Sequence, residues 1–307
     1  MVTGADFNGD GLTDIAVLGS QNRYVYLSNG DGTFTLNYSV YGGSFGVPPT
    51  INYAMSVDDI TGDGVSDQVF VGSTYQYVFT ATGPRPDLIT SFAPGLGAAT
   101  AVTYTPITNS AIYTKDTNSV YPKMDMQLSM YVVSRVDAPN GIGGTYSSTY
   151  SYAGAKADLS GRGFLGFRQM TVKDLQTNIT DTTNYRQDFP YIGMVASTTR
   201  TLGSQTLGQS TNTYQFANAS GGTAIGPTNA PYRVSLSQNV SSGADLDGSA
   251  LPTVTTSNQY DAYLNATQVV VSTPDGFSKT TTNIYTNDAT NWYLGRLTRA
   301  SVANVAP

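Results

Sequence analysis

Two short stretches carry the residue types from which a metal site is built. Asp6-Phe-Asn8-Gly-Asp10-Gly-Leu12-Thr-Asp14 precedes the apolar run Ile15-Ala-Val-Leu18, and Asp59-Ile-Thr61-Gly-Asp63-Gly-Val65-Ser-Asp67 precedes Gln68-Val-Phe-Val71. The second stretch repeats the first at an offset of 53 residues. Calcium takes about six to eight hard oxygen ligands, and both stretches place oxygens at alternate positions of a turn. Glycine lets such a turn close through backbone conformations that a Cβ would hinder. The ligands expected in the first loop are Asp6, Asn8, Asp10, the carbonyl of Leu12, and Asp14. In the second they are Asp59, Thr61, Asp63, the carbonyl of Val65, and Asp67. Thr61 is a neutral, weaker substitute, so weaker binding is expected there. Three carboxylates in one loop repel one another without a cation; the alternative is a metal-free Asp/Gly turn. An EF-hand would need a bidentate Glu at the twelfth position of its loop. Those positions are Val17 and Phe70, inside apolar runs, and strands are expected to follow the loops. The role expected of the ion is structural.

Other site chemistry is narrow. The 307 residues include no cysteine and no histidine. That excludes disulfides, thiolate nucleophiles, Ser-His-Asp triads and the usual His-type zinc sites. A glycoside hydrolase would need two convergent carboxylates, and the clearest Asp clusters are already accounted for by calcium. The formal charge of −6 argues against nucleic acid and anionic membranes as main partners. No stretch of about 18 apolar residues is present to span a membrane. Met1 to Asp6 lacks the basic and apolar regions of a signal peptide, so an exported protein would carry its signal elsewhere or use another route.

The remaining motifs read as structural. Gly161, Gly163 and Gly166 alternate with Arg162, Phe164 and Phe167 but lack the strand–Gly–helix pattern and Lys-Ser/Thr of a phosphate loop. A bulge or close backbone approach is expected there. Arg162 is expected to bridge carbonyls or a carboxylate. Asp188, beside Phe189-Pro-Tyr, is assigned to a turn rather than to catalysis. Asp245-Leu-Asp-Gly248 lacks the last two acidic positions of the calcium pattern and reads as a plain turn. Trp292 is expected to anchor a core or seam.

These motifs need strands to position them. Charged residues are only 12% of the chain, 22 residues are Tyr and 32 are Gly. Thr, Tyr and Val favour sheets, while Gly, Asn and Ser favour turns, which indicates an all-β, extracellular-type protein. Tyr24 to Leu27 followed by Ser28-Asn-Gly-Asp-Gly-Thr-Phe34 is a hairpin signal. Strands are expected at Thr100–Pro106, Tyr131–Val136 and Thr145–Tyr152, with a turn at Pro139–Gly141. Gln268–Thr273, Pro274-Asp-Gly276 and Phe277–Tyr285 form the clearest hairpin. Residues 200–230 are expected to include a long loop. Composition changes near Thr82-Gly-Pro-Arg-Pro86, which divides the chain into 1–84 and 85–307. Repeats of this size with several short strands point to propeller blades. Two cannot close a ring, so a piece of a longer protein is expected.

The Asp/Gly loops, with Asn29-Gly-Asp-Gly-Thr-Phe34 between them, resemble FG-GAP (VCBS, integrin-α-like) repeats, whose calcium loops join two strands of a propeller blade. A second resemblance runs over about residues 85–299. Arg85-Pro-Asp-Leu-Ile-Thr-Ser91, Gly95-Leu-Gly-Ala98 and Thr103-Tyr-Thr-Pro106 are similar to the segment after the propeller in insecticidal Tc-toxin B components. Val132–Val136, Asn140–Gly144, Tyr150-Ser-Tyr-Ala-Gly-Ala155, Gly161–Phe167 and Gln187–Gly193 follow in that family's order. This is the TcdB middle/N-terminal region, also found in SpvB-type and Rhs/YD-repeat proteins, and Asn287–Arg299 resembles the lead into the YD repeats. The implied fold is all-β: a partial β-propeller (FG-GAP blades) followed by a large curved antiparallel sheet of Rhs-shell type. The implied role is non-catalytic: the calcium-stabilised end of a propeller and the start of a shell that encloses and delivers a cytotoxic cargo. Implied partners are the toxin cargo polypeptide and a Tc-A-like translocation channel, and the implied location is secreted or at the bacterial cell surface. The alternative is an FG-GAP adhesin or carbohydrate-binding module.

Overall fold

A computed structural model of the chain describes residues 2–18, 23–37, 54–71, 76–81, 88–95 and 97–307. The composition change at 82–86, the Arg85-Pro-Asp87 start of the second resemblance, and Leu96 lie outside the described residues. Apart from one turn of 3₁₀ helix at Pro227–Asn229, every regular element among the described residues is a β-strand. No helix there is long and apolar enough to cross a membrane. The chain divides into two compact units, Met1–Tyr113 with Gln127–Thr145, and Thr114–Met126 with Tyr146–Pro307.

In the first unit, β1 (Val2–Ala5), β2 (Asp14–Leu18), β3 (Arg23–Ser28) and β4 (Phe34–Asn37) form a four-stranded antiparallel sheet in chain order. A three-stranded sheet repeats this with β5 (Ala54–Asp58), β6 (Asp67–Val71) and β7 (Gln76–Phe79). The sequence repeat is a repeat of register. Ala5 faces Asp14 as Asp58 faces Asp67, and Ile15 faces Tyr26 as Gln68 faces Phe79. Phe7, Ala16, Val25, Val65 and Ala81 form one buried cluster across both repeats, with Ala5, Leu27 and Val57 against it. The unit also contains β8 (Ser91–Phe92) and β9 (Thr100–Pro106). The short β10 (Tyr113–Thr114) and β11 (Lys123–Asp125) precede β12 (Tyr131–Pro139), which pairs with β9. β12 runs through Pro139, so the expected turn begins at Asn140, whose N–H bonds the Gly144 carbonyl.

The second unit is a meander of β13 (Thr145–Asp158), β14 (Gly163–Asp174), β15 (Ile179–Tyr185), β16 (Val195–Leu202), β17 (Gln205–Ala217), β18 (Arg233–Ala244), β19 (Ala250–Tyr260), β20 (Ala266–Ser272), β21 (Ser278–Asp288) and β22 (Tyr293–Val305). Each pairs antiparallel with the next, and β11 lies along β13 with Lys123 opposite Asp158. Register shifts recur along the ladder, for example between Ala155 and Ala157, where an extra residue bends a strand and raises its twist.

The long loop expected within 200–230 is present between β17 and β18, at 218–232, with a turn of 3₁₀ helix inside it. Before it, Gln205–Ala217 is a 13-residue strand whose Thr, Gln, Asn and Tyr side chains alternate on a pleat with backbone groups paired on both sides, so polarity does not break it. One expectation needs correction. Trp292 anchors no core: it is 74% exposed at the tip between β21 and β22, with φ 58°. A two-stranded tip offers no facing layer to bury an indole.

Candidate functional site

The Asp/Gly loops connect β1 to β2 and β5 to β6, and the same scaffold holds both. The last carboxylate of each is a brace. Asp14 accepts the N–H groups of Phe7 and Ser28, each at 2.8 Å. Asp67 accepts those of Ile60 and Thr61, at 3.0 Å each, and of Ala81 at 2.9 Å. Both carboxylates are fully buried, and each ties its loop to the end of the third strand of its sheet, at Ser28 within β3 and at Ala81 two residues past β7. The first carboxylate staples the turn from the other side. Asp6 accepts from Gly9 (2.6 Å) and Gly11 (2.9 Å), and Asp59 from Asp63 (2.9 Å) and Gly64 (2.8 Å). Asp10 and Asp63 each accept the N–H two residues on, from Leu12 at 2.8 Å and Val65 at 3.1 Å. Asn8 donates its amide to Asp10 at 2.9 Å. Gly9, Gly11, Gly62 and Gly64 all have φ between 71° and 82°, the left-handed backbone that these turns require.

The surroundings differ. Val65 is buried at 1% exposure in the shared core, whereas its counterpart Leu12 is 38% exposed. Phe7 is buried, while its counterpart Ile60 is 55% exposed. The loops touch where Ser66 donates its N–H to the Asp6 carbonyl at 3.1 Å. The second loop is also met by hydroxyls from far along the chain. Ser129 donates to the Asp59 carboxylate, Thr108 to the Gly62 carbonyl, and Tyr131 to the Asp63 carbonyl at 2.8 Å.

Electrostatics follow these contacts. Burial raises the Asp14 carboxyl above its usual range, the Ser28 and Phe7 N–H groups lower it less, and the charges of Asp10 and Asp6 add to the rise. Asp59 is also pushed up by burial. There, the Ser129 hydroxyl and the N–H groups of Gly64, Asp63 and Gly62 outweigh the push and hold it below its usual range. In kind, the donors fit calcium: carboxylate, amide, hydroxyl and carbonyl oxygens share one turn. A carboxylate oxygen that accepts an N–H also keeps a further lone pair. Yet the loops bring together only part of the expected set. Asn8 and Asp10 touch, while Asp14 and Asp67 turn to backbone N–H groups. Among the described residues, no group of three or more acidic side chains is gathered to hold a metal ion.

A second constellation joins motifs that the sequence keeps apart. Gln187 donates its amide to the carbonyls of Gly154 and Gly166, both at 2.7 Å. Arg162 lies 4.2 Å above the Phe189 ring and 3.7 Å from Asp158. Arg186 pairs with Asp188 and sits 4.4 Å from the centre of the Tyr191 ring. Asp188 is therefore a turn residue with an ion-pair partner. Gly154, at φ 65°, is a required glycine, since a Cβ there would lie 2.5 Å from Asp116 Oδ2 and 2.9 Å from Arg168 Cβ. Asp116 takes both guanidinium arms of Arg168, each at 3.0 Å, and lies 3.6 Å from Lys156. Lys156 also bonds Asp125, which accepts the hydroxyl and N–H of Ser119 at 2.7 and 2.8 Å. Burial opposes ionisation of Asp125, but Lys156 and Ser119 outweigh it and hold its carboxyl at about 2. Asp116, Asp125, Asp158 and Asp188 are all held below the usual carboxylate range. A general acid or base works best with its pKa near the operating pH, so these groups are suited to fastening.

Sequence reading missed Asp116, Asp125, Lys156, Arg168 and Gln187. Apart from Ser119, six residues before Asp125, the partners named above lie 21 to 52 residues away, and no local spacing marks them. Gln68 was read only as part of an apolar run. It is fully buried, and neither amide atom has a partner among the described residues.

Residues 40–196 match the family described as the insecticide toxin TcdB middle/N-terminal region. No match was found among curated proteins. The fold is similar to a chain of the Photorhabdus luminescens Tc holotoxin pore, at TM-score 0.75 and 11% identity over 99% of this chain. It is also similar to chains in the crystal structures of TcdB2–TccC3 (TM-score 0.68, 12% identity) and TcdB2–TccC3–Cdc42 (0.75, 11%), again over 99% of this chain. This chain spans only 19–20% of the length of those solved chains.

Proposed function

The chain belongs to the family of the insecticide toxin TcdB middle/N-terminal region, and we propose that it is a non-catalytic structural part of a bacterial Tc/Rhs-type toxin. In this reading residues 1–84 are FG-GAP/VCBS blades at the end of a β-propeller. Calcium is held by Asp6, Asn8, Asp10, the Leu12 carbonyl and Asp14, and by Asp59, Thr61, Asp63, the Val65 carbonyl and Asp67. The ion supplies charge neutralisation and cross-linking of the loop. Residues 85–307 begin a shell that leads towards YD repeats, encloses a cytotoxic polypeptide and meets a Tc-A-like translocation channel. The assembly acts as a secreted or cell-surface toxin.

The observation that carries the reading is the unbroken antiparallel meander from β13 to β22. A continuous ladder satisfies backbone groups strand by strand and leaves unpaired edges only at its ends, as a wall requires. The matched solved chains, which include TccC3 complexes, support it through fold. The ion pairs at the motif junction support it through chemistry, since their carboxylates are held below the usual range and serve to fasten.

The test is protease protection of the cargo in the assembled toxin. Deleting residues 86–307 is expected to leave the cargo polypeptide digestible. Retained protection would overturn the shell reading and favour an adhesin or carbohydrate-binding module.

A further inference from the structure

We infer that Thr108, Ser129 and Tyr131 form a protein latch that holds the second Asp/Gly loop without a cation, so that this loop, unlike the first, keeps its fold when divalent ions are withdrawn. Three hydroxyls converge on three different oxygens of one turn: Asp59 Oδ2, the Gly62 carbonyl and the Asp63 carbonyl. They come from 70, 46 and 68 residues away, so the bonds do not arise from the turn's own sequence. The latch is itself braced. Thr108 follows the fully buried Ile107, whose N–H bonds the Met130 carbonyl at 2.9 Å, between Ser129 and Tyr131. Gln127 reaches the Thr108 carbonyl at 3.4 Å.

The seat is close. A Cβ at Gly62 would lie 2.9 Å from Thr108, and one at Gly64 would lie 3.3 Å from Ser129. At Gly11, the counterpart of Gly64, a Cβ would meet nothing within 4 Å among the described residues. A cation in such a loop draws carboxylate and carbonyl oxygens together. Hydroxyl donors can do the same for oxygens already in place, because a buried or half-buried acceptor gains most from a fixed partner. Asp59 is at once the first expected ligand of the loop and the acceptor of the Ser129 hydroxyl. The contrast with the first loop rests on the calcium reading above; the latch itself does not.

Hydrogen exchange on the full chain separates the two. In wild type, replacing calcium with EGTA is expected to speed exchange in residues 6–14 and to leave 59–67 unchanged. In the Thr108→Val/Ser129→Ala/Tyr131→Phe variant in EGTA, the amides of Asp63, Gly64 and Val65 are expected to exchange at least about tenfold faster. Residues 6–14 should behave as in wild type. Ser129→Ala alone, which removes a single half-buried hydroxyl bond, should give a smaller rise in the same residues and serves if the triple variant does not fold. Equal loosening of both loops in wild type would overturn the latch, as would unchanged exchange at 59–67 in both variants in EGTA. If neither loop of the wild type responds to calcium, the calcium reading fails, and the variants in EGTA still decide the latch.

Discussion

The two Asp/Gly loops share the plan of their frame and differ most in what lies outside it. Each has a buried brace, a stapling first carboxylate and a pair of left-handed glycines. Around the first, Leu12 is exposed and the Asp14 carboxyl is raised by burial and by the nearby charges of Asp10 and Asp6. Around the second, Val65 is core, and a distant hydroxyl helps hold Asp59 down. The repeat encodes the turn; the neighbours decide how its negative charge is met.

The largest expected effect separates the apolar halves of the repeats. Phe7→Ala should cost about 3–5 kcal/mol in urea melts, as large-to-small core changes do. The equivalent Ile60→Ala should stay within about 0.5 kcal/mol, as exposed changes do. Equal losses would break the asymmetry. Next come the braces. Asp67→Ala strands three N–H groups and should cost about 3 kcal/mol, and Asp14→Ala, which strands two, about 2 kcal/mol. Thermal melts that show surface-like losses for both would remove the brace.

Asp125 extends the contrast to a carboxylate compensated by a cation. Its folded pKa is depressed from 3.8 to about 2. Its contribution is therefore present above the unfolded value and lost as pH falls through the folded one. Hydrogen exchange at Ser119 should rise as pH is lowered from 4 towards 2, once the intrinsic rate is corrected for. In Lys156→Met that rise should begin at higher pH, and an unchanged profile would contradict the assignment. The smallest effect is at Gln68, whose counterpart Ile15 is apolar. Gln68→Leu should be neutral or stabilising by about 1 kcal/mol, because an unpaired buried amide costs free energy. A loss of stability would show that the amide has a partner outside the described residues.

What the sequence revealed was local. The loop pattern, the 53-residue repeat and the hairpin at Pro274-Asp-Gly276 each rest on residues a few positions apart, and the registers at Ala5/Asp14 and Asp58/Asp67 follow. The motifs at 150–155, 161–167 and 187–193 were visible as strings. Their meeting at Gln187, Gly154 and Gly166 was not, since it depends on strand pairing. The latch was hidden for the same reason, as Thr108, Ser129 and Tyr131 carry no spacing that points to residues 59–63. The loop at 218–232 was legible in the Gly, Ser, Thr and Asn content of 200–230, whereas strand Gln205–Ala217 before it was not, because its polarity hides its alternation. Trp292 was misplaced because residue size was weighed above its position at a hairpin tip.

Calorimetric titration of the full chain with calcium decides whether the Asp/Gly loops hold metal. A binding event that Asp10→Ala abolishes and a weaker one that Asp63→Ala abolishes are expected, with a higher melting temperature in calcium than in EGTA. No heat of binding and identical melting in calcium and EGTA would contradict the calcium reading.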